Sequence, residues 1–328
     1  MKAATFNSFG PASDVLQVID FEQPQPGAGE VLIRLYASGV NPSDTKKRDG
    51  AFPNLLDNGA VIPNSDGAGV IEAVGMGVPH SRIGERVWVY QAQFARLHGT
   101  AAQYVAIASE RAVALPDNTS FAVGACMGIP AMTAHRCVFA DGDVNGQLVL
   151  ITGGAGRVGH YAIQWAKHAG ATVITTASSE ESKKQCIEAG ADLVVDHTDP
   201  QMIAQVLQFT DGAKVDRIID VEFGANLENS LQLLRVGGVI ASYSSTVVPE
   251  PVLPFKQMMF MDLTIRMVIV YAMPEQAKKA AIADITDALQ KNSLQHRIAA
   301  LYSLEEIAEA NNKIEQGGFY GCVVVDIK

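Results

Sequence analysis

Three glycines, Gly154, Gly156 and Gly159, give the sequence its strongest chemical pattern, within the segment LVLITGGAGRVGHYAIQWA that begins at Leu148. Glycine permits a tight turn, allows the backbone to approach a charged group, and allows a helix to pack closely on a strand. The residues before the turn predict an apolar strand, and those after it predict an amphipathic helix. Because a helix N-terminus offers unpaired N–H groups and a positive dipole end, this segment predicts binding of a dinucleotide pyrophosphate.

The next predicted strand ends in Thr176-Ala177-Ser178-Ser179-Glu180, and this segment bears on which dinucleotide binds. An NAD enzyme usually has an acidic residue at this strand end, which binds the ribose 2′-hydroxyl. Here no acid precedes Glu180, and the hydroxyls of Ser178 and Ser179, followed by Lys183, favour the 2′-phosphate of NADPH. A structural interpretation stays open, in which Ser178 and Glu181 form a helix capping box and the lysine lies on a solvated helix face.

Composition limits the class of protein. The 328 residues suggest two domains, and 48% hydrophobic with 18% charged residues is typical of a globular protein. A formal charge of −10 without a basic stripe argues against nucleic acid as a partner. The four cysteines are far apart, which indicates a reducing, cytoplasmic location. The N-terminus lacks a signal-peptide pattern, and no apolar run is long enough to span a membrane.

The predicted elements divide the chain in the same way. Residues 1–122 contain short strands separated by Gly, Pro and Asn, whereas residues 123–271 alternate short apolar strands with helices. Continuous apolar strands that are each followed by a helix predict a doubly wound parallel sheet. Residues 272–328 contain two helices and a closing strand from Gly321 to Lys328, which we expect to return to the first domain. The predicted fold class is therefore α/β with a mostly β domain.

Several segments together resemble a known family, the zeta-crystallin-type quinone oxidoreductases of the medium-chain dehydrogenase/reductase superfamily. The matching motifs run in order along the chain: ASGVNPSDT from Ala37, PNSDGAGVIEAVG from Pro63, IPAMTA from Ile129, and the glycine turn from Gly153. The resemblance implies a discontinuous GroES-like catalytic domain (1–122 and 272–328) and a Rossmann domain (123–271). It also implies that NADPH lies in a cleft between them.

The same resemblance argues against a metal. Zinc-dependent alcohol dehydrogenases of the superfamily have Cys at the position of Asn41, His at that of Ser65, and Cys near Ile129, and the residues present here lack the thiolate and imidazole ligands that zinc needs. We therefore expect a zinc-free reductase that passes a hydride from NADPH to a quinone. Two alternatives are a reductase of α,β-unsaturated carbonyl compounds of the enone, enal or acrylate type, and a non-catalytic NADPH-binding protein.

The resemblance also implies roles for individual residues. Asn41 would contact the nicotinamide ribose or the acceptor, and Thr133 would lie beside the nicotinamide. His197 matches a position near the adenosine, and Ile269 lies in a segment whose backbone contacts the carboxamide. Ser244 and Ser245 match a turn that crosses the cofactor. The pyrophosphate would be bound by the residues of the glycine turn: Gly154, Ala155, Gly156, Arg157 and Val158.

Two departures from the family pattern concern charged residues. Lys46 stands where relatives commonly have a tyrosine, and it could donate a proton or stabilise an oxyanion, or simply belong to the solvated charge run Lys46-Lys47-Arg48. Arg157 replaces a small residue in the glycine turn, where it could bind a phosphate or point outward.

Finally, Asp262 to Val270 predicts an exposed edge strand near several methionines, which favours a homodimer.

Overall fold

The structure, a computed structural model, describes residues 1–328 and divides into two compact units. The first unit comprises Met1–Ile129 and Ile282–Lys328, and the second comprises Pro130–Ala281. These boundaries lie several residues beyond the predicted ones at 123 and 271. No helix is both long enough and apolar enough to cross a membrane.

The chain forms fifteen strands and eleven α-helices. The strands are β1 (Lys2–Thr5), β2 (Gln17–Asp20), β3 (Glu30–Val40), β4 (Asp66–Val74), β5 (Arg86–Val89), β6 (Tyr104–Ala108), β7 (Ala112–Ala114), β8 (Leu148–Ile151), β9 (Thr172–Thr176), β10 (Leu193–Val195), β11 (Val215–Asp220), β12 (Leu234–Ser242), β13 (Thr264–Met267), β14 (Ile298–Ser303) and β15 (Cys322–Asp326). The helices are α1 (Ala12–Val15), α2 (Pro42–Arg48), α3 (Phe121–Gly124), α4 (Met132–Phe139), α5 (Arg157–His168), α6 (Glu180–Glu188), α7 (Met202–Phe209), α8 (Phe223–Leu233), α9 (Phe255–Phe260), α10 (Glu275–Gln290) and α11 (Ile307–Gln316).

A largely antiparallel sheet dominates the first unit. Its strand order is β14-β15-β3-β4-β5-β7, with β6 also paired to β3, and β1 and β2 form a separate hairpin. Strand β15 pairs antiparallel with β3, with Val325 opposite Ser38, so the closing strand returns to this unit as predicted. The core contains Val and Ile side chains from β3 to β6 together with Ile307 and Ile314 of α11. This sheet fixes the end of β3, which Asn41 follows, and the start of β4 at Asp66.

The second unit contains a six-stranded parallel sheet in the order β10-β9-β8-β11-β12-β13. Counted within the unit, this is the doubly wound order 3-2-1-4-5-6. The inner strands are buried and apolar, as the continuous runs predicted, and α5 and α8 pack against β8 and β11. In this topology ligands bind outside the carboxyl ends of the strands, where the strand order reverses, which here is between β8 and β11.

Candidate functional site

The glycine turn connects the end of β8 to α5 at the reversal point of the parallel sheet. Gly153 has a φ of +65°, a conformation that favours glycine, and its N–H donates to the Thr176 side chain at 2.9 Å. Gly156 is the N-cap of α5, so the first N–H groups of that helix face the turn. Predicted residues Ala155, Arg157 and Val158 therefore lie at a helix N-terminus that is suited to an anion.

Close packing explains why two positions in this segment must be glycine. A Cβ on Gly154 would lie 2.0 Å from Thr175 Oγ1, and a Cβ on Gly159 would lie 2.4 Å from the Gly153 carbonyl oxygen. At Gly156, by contrast, the nearest atom to a Cβ is the Gly153 carbonyl oxygen at 3.1 Å. Gly154 and Gly159 therefore let the turn pack on β9 and α5, whereas a Cβ on Gly156 would have one neighbouring atom within 4 Å.

The segment after β9 carries the predicted 2′-phosphate residues. Ser178 and Ser179 are exposed, and Lys183 forms an ion pair with Glu180 at 3.0 Å. The predicted capping box of Ser178 and Glu181 is wrong. The N-cap of α6 is Ser179, whose hydroxyl accepts from the Ser182 N–H at 3.1 Å. The helix starts one residue later because Ala177 still donates to the Val195 carbonyl at 2.9 Å, which keeps the chain extended.

The remaining residues predicted for the second unit lie at neighbouring strand ends, with one exception. His197 is exposed in the loop after β10, Ser244 and Ser245 follow β12, and Ile269 follows β13. The last three line one cavity of about 400 Å³. Thr133, the exception, is buried within α4. The sequence thus identified residues in the loops after β8, β9, β10, β12 and β13, which all open at the carboxyl edge of one sheet.

The loop with Ser244 and Ser245 is held by a carboxylate that sequence reasoning missed. Glu222 accepts from the N–H of Thr246 at 2.7 Å and that of Val247 at 2.9 Å. Ser245 accepts from the Gly224 N–H at 2.9 Å and donates to the Val248 carbonyl at 2.6 Å. Burial raises the pKa of Tyr243, which precedes this loop, and the charge of Arg157 opposes that increase.

In the first unit, Asn41 lies between two buried carboxyl groups. It is the N-cap of α2, and its N–H donates to Asp44 Oδ2 at 2.9 Å. Its side-chain amide donates to Asp66 Oδ2 at 2.9 Å, and the Ile129 N–H donates to the same oxygen at 2.7 Å. A Cβ on Gly128 would lie 2.0 Å from Asp66 Oδ1, so the chain around this carboxyl is closely packed.

Asn41, Asp44 and Asp66 form a buried cluster with a lysine, and this lysine is Lys47 rather than Lys46, which the sequence analysis singled out. Lys46 is exposed, and its catalytic role stays a prediction, whereas the neighbouring Lys47 is 6% exposed. The Lys47 ammonium donates to Gln93 Oε1 at 2.8 Å and is 3.4 Å from Ser65 Oγ. The helical spacing of the sequence indicates this arrangement, because residues three apart, such as Asp44 and Lys47, lie on the same face of a helix.

Burial shifts the titration of all three ionisable groups in this cluster. It raises the pKa of Asp66 from 3.8 to about 8 and that of Asp44 from 3.8 to about 6, and the Lys47 charge opposes both increases. Burial lowers the pKa of Lys47, which the two carboxylates oppose. The cluster thus contains two acids and one base whose charges depend on one another.

Comparison with known proteins places the chain in a family. Residues 27–117 match the alcohol dehydrogenase GroES-like domain, and residues 158–287 match the zinc-binding dehydrogenase family. The quinone oxidoreductase of Homo sapiens is 30% identical over 97% of this chain and 94% of that protein. The quinone oxidoreductase of Pseudomonas aeruginosa is 30% identical over 76% of this chain and 74% of that protein. The structure of mycobacterial Rv1454c complexed with NADPH is similar with a TM-score of 0.88 and 28% identity, covering 99% of this chain and 100% of that one.

The residues present do not fit the zinc that one of these family descriptions names. No group of three or more His, Cys, Asp or Glu side chains lies close enough to hold a metal ion. At Asp66 the neighbouring groups are N–H donors of Asn41 and Ile129, and the Lys47 ammonium already supplies positive charge nearby. A metal ion needs several lone pairs directed at it, and this donor set does not provide them.

The comparisons confirm the fold class and the family predicted from the sequence. The GroES-like match falls on the antiparallel unit, and most of the second match falls on the unit with the parallel sheet. Identity of 30% to quinone oxidoreductases extends over almost the whole chain. The chain therefore belongs to the quinone oxidoreductase family of the medium-chain dehydrogenase/reductase superfamily.

Proposed function

We propose that this protein is an NADPH-dependent, zinc-free reductase that passes a hydride to a quinone. The observation that carries the proposal is the glycine turn at the reversal point of the parallel sheet, with further predicted cofactor residues in the neighbouring loops. A related solved structure that contains NADPH supports it. NADPH and a proton would convert the quinone to a hydroquinone, with NADP⁺ as the second product.

In this proposal each unit contributes different residues. The turn from Gly154 to Val158 binds the pyrophosphate through backbone N–H groups at the start of α5. Ser244 and Ser245 form a turn that crosses the cofactor, and the backbone around Ile269 contacts its carboxamide; the cavity that these three residues share supports this assignment. Thr133 and His197 are assigned to the nicotinamide and adenosine ends by the family resemblance. Asn41 contacts the nicotinamide ribose or the acceptor, with its backbone N–H held by Asp44 and its side-chain amide held by Asp66.

An acceptor panel tests the reaction. Purified protein should oxidise NADPH in the presence of 1,4-benzoquinone, at a rate unchanged by a metal chelator. Cyclohex-2-enone, tested in parallel, addresses the alternative of a reductase of activated alkenes. Lys46 in place of an aromatic residue favours this alternative. Faster turnover of the enone would favour that alternative. Tight NADPH binding without turnover of any acceptor would favour a non-catalytic role. Loss of activity on chelation would contradict the zinc-free reaction.

The preference for NADPH depends in this proposal on Ser178, Ser179 and Lys183. Lys183 already pairs with Glu180, and a bound 2′-phosphate would compete for the same ammonium. Lys183→Met should raise the KM for NADPH by about tenfold and leave the KM for NADH unchanged. Lys184→Met is the matched control, because Lys184 is exposed and lies 3.9 Å from Glu188 instead. Equal effects of Lys183→Met on both cofactors would contradict the assignment.

We also propose that the protein forms a homodimer through the edge strand β13. This strand has one neighbour in its sheet, and large apolar side chains near it in sequence are exposed: Val252, Phe255, Phe260 and Met267. Phe260→Glu should convert the dimer to monomer in analytical ultracentrifugation. Ile187→Glu, at an exposed position on α6, is the control and should leave the mass unchanged. A monomeric wild type would refute the proposal.

A further inference from the structure

Lys47 is buried in a cluster whose chemistry the proposed reaction does not yet explain. Its ammonium donates to the Gln93 side chain at 2.8 Å and to the Gln93 carbonyl at 3.0 Å. Burying a lysine costs hydration energy and side-chain entropy, and neutral oxygens compensate for only part of this. The favourable fields of Asp44 and Asp66 supply a further part.

The two carboxyl groups of this cluster, Asp44 and Asp66, are buried as well. Asp66 is fully buried, its Oδ2 accepts two N–H groups, and its Oδ1 has no hydrogen-bond partner. The Asp44 side chain accepts the N–H of Asn41. Neutral N–H donors offset only part of the cost of burying a carboxylate, and a nearby cation further favours its ionised form. The contacts of Asn41 thus depend on the charge of the groups that accept its hydrogen bonds, since charged acceptors bind N–H groups more strongly.

Among the three basic residues of α2, Lys47 is the one whose charge acts on both carboxyl groups. Lys46 is exposed to solvent. Arg48 is buried but turns to another part of the unit, where its guanidinium donates to the Gly10 carbonyl and to the Glu315 carboxylate. The groups around the Lys47 ammonium on the neighbouring loops, Ser65 and Gln93, are neutral. Lys47 is therefore the basic residue of α2 whose charge favours the ionised form of both carboxyl groups.

Backbone strain is concentrated in the loops that surround Lys47. Asn64, Gln91 and Ala95 have positive φ values of 71°, 56° and 55°, and they flank Ser65 and Gln93. Each such residue costs of order 1 kcal/mol, and strain of this kind clusters at functional sites. The chain accepts this strain where it presents two neutral acceptors to the ammonium, which supports a role beyond packing.

We propose that Lys47 is a positioning residue: its buried ammonium is the counter-charge for Asp44 and Asp66, which together hold Asn41 in the orientation that reduction requires. This inference rests on the proposed function, from which it takes the contact of Asn41 with the cofactor or the acceptor. Removing the charge raises the pH at which both carboxyl groups ionise, so that below this pH they bind Asn41 less firmly. The reaction then slows because the amide is misplaced.

The test compares the wild type with Lys47→Met, which keeps the length of the side chain but not its charge. Lys47→Met should lower kcat by about 10- to 100-fold and change the KM for NADPH by no more than about threefold. Activity should rise with pH as the two carboxyl groups ionise. In Lys47→Met this rise should move to higher pH, because the pKa of both carboxyl groups increases when the Lys47 charge is lost. Lys47→Arg keeps the charge and should recover most of the activity. Lys291→Met, which removes an exposed lysine paired with Asp287, is the control and should match the wild type.

A readout without turnover separates this inference from the proposed function. The unfolding temperature of Lys47→Met should fall more steeply between pH 6 and 9 than that of the wild type, since its uncompensated carboxyl groups resist ionisation in the folded state. If Lys47→Met does not fold, Lys47→Gln and the double variant Lys47→Met with Asp44→Asn serve the same comparison. Unchanged kcat and pH profiles in the charge-free variants would overturn the inference. An inactive wild type would refute the proposed function, while the unfolding data still decide whether Lys47 is the counter-charge.

Discussion

Two alanine substitutions in the glycine turn should affect different properties: Gly154→Ala should mainly lower stability, and Gly156→Ala should mainly weaken cofactor binding. In Gly154→Ala the new Cβ would lie 2.0 Å from Thr175 Oγ1 and 2.8 Å from Ile163 Cδ1. Thr175 is fully buried and donates to the Ile151 carbonyl at 2.6 Å, so it must move and lose this bond. Overpacking of about 1–3 kcal/mol and a lost hydrogen bond of about 1 kcal/mol together predict a destabilisation of about 2–4 kcal/mol.

Gly156→Ala should instead preserve the fold. Its φ of −68° and ψ of 167° suit any residue, and the new Cβ would lie 3.1 Å from the Gly153 carbonyl oxygen, a close contact that a shift of a few tenths of an ångström relieves. Because Gly156 is an N-cap, alanine there costs up to about 1 kcal/mol. The added methyl group occupies the space that we assign to the pyrophosphate, so the Kd for NADPH should rise at least about tenfold.

Thermal unfolding by circular dichroism and NADPH titration by fluorescence measure the two effects. For a unit of this size, Gly154→Ala should lower the unfolding temperature by roughly 5–15 °C, whereas Gly156→Ala should lower it by a few degrees. Each variant is the control for the other. Gly156→Ala that binds NADPH as tightly as the wild type would refute the assignment of the turn to the pyrophosphate. Gly154→Ala with wild-type stability would refute the packing argument.

Two further predictions concern single carboxylates. Because burial raises the pKa of Asp66 from 3.8 to about 8, the folded protein loses stability as pH rises through this interval, and Asp66→Asn should make the unfolding temperature less dependent on pH between 5 and 9. A slope equal to that of the wild type would contradict the raised pKa. Glu222→Gln, which weakens the acceptor for the Thr246 and Val247 N–H groups, should speed amide exchange in that loop and leave the unfolding temperature within about 2 °C. Unchanged exchange would show that Glu222 does not hold the loop.

The elements that the sequence predicted best are those whose signals are local. The apolar run of β8, the glycines after it and the amphipathic α5 lie within one short segment, so the turn and its helix followed from neighbouring residues alone. The return of β15 to the first unit followed from a weaker argument, the absence of a helix after the last strand. In contrast, the choice between Ser178 and Ser179 as N-cap depends on a backbone hydrogen bond to Val195, and spacing does not encode that bond.

The buried charges were harder to predict because their partners are distant in sequence. The run Lys46-Lys47-Arg48 contains an exposed lysine, a lysine that donates to Gln93, and an arginine that donates to Glu315. All three side chains carry the same charge, so their different environments depend on their tertiary partners. The helical spacing of Asp44 and Lys47 was a usable signal, but it required the start of α2 at Pro42 to be known first.

The cost of this cluster argues that it is kept for function rather than for stability. Apolar side chains of similar volume often stabilise a core as well as or better than buried ion pairs do. The first unit has such a core in its Val and Ile cluster, yet beside it two acids and a lysine are enclosed by loops with strained residues at Asn64 and Gln91. What the carboxyl groups provide, and apolar groups do not, is a fixed direction for the amide of Asn41, since a hydrogen bond is more directional than packing. Orientation of this one side chain is therefore the property that best accounts for the cluster.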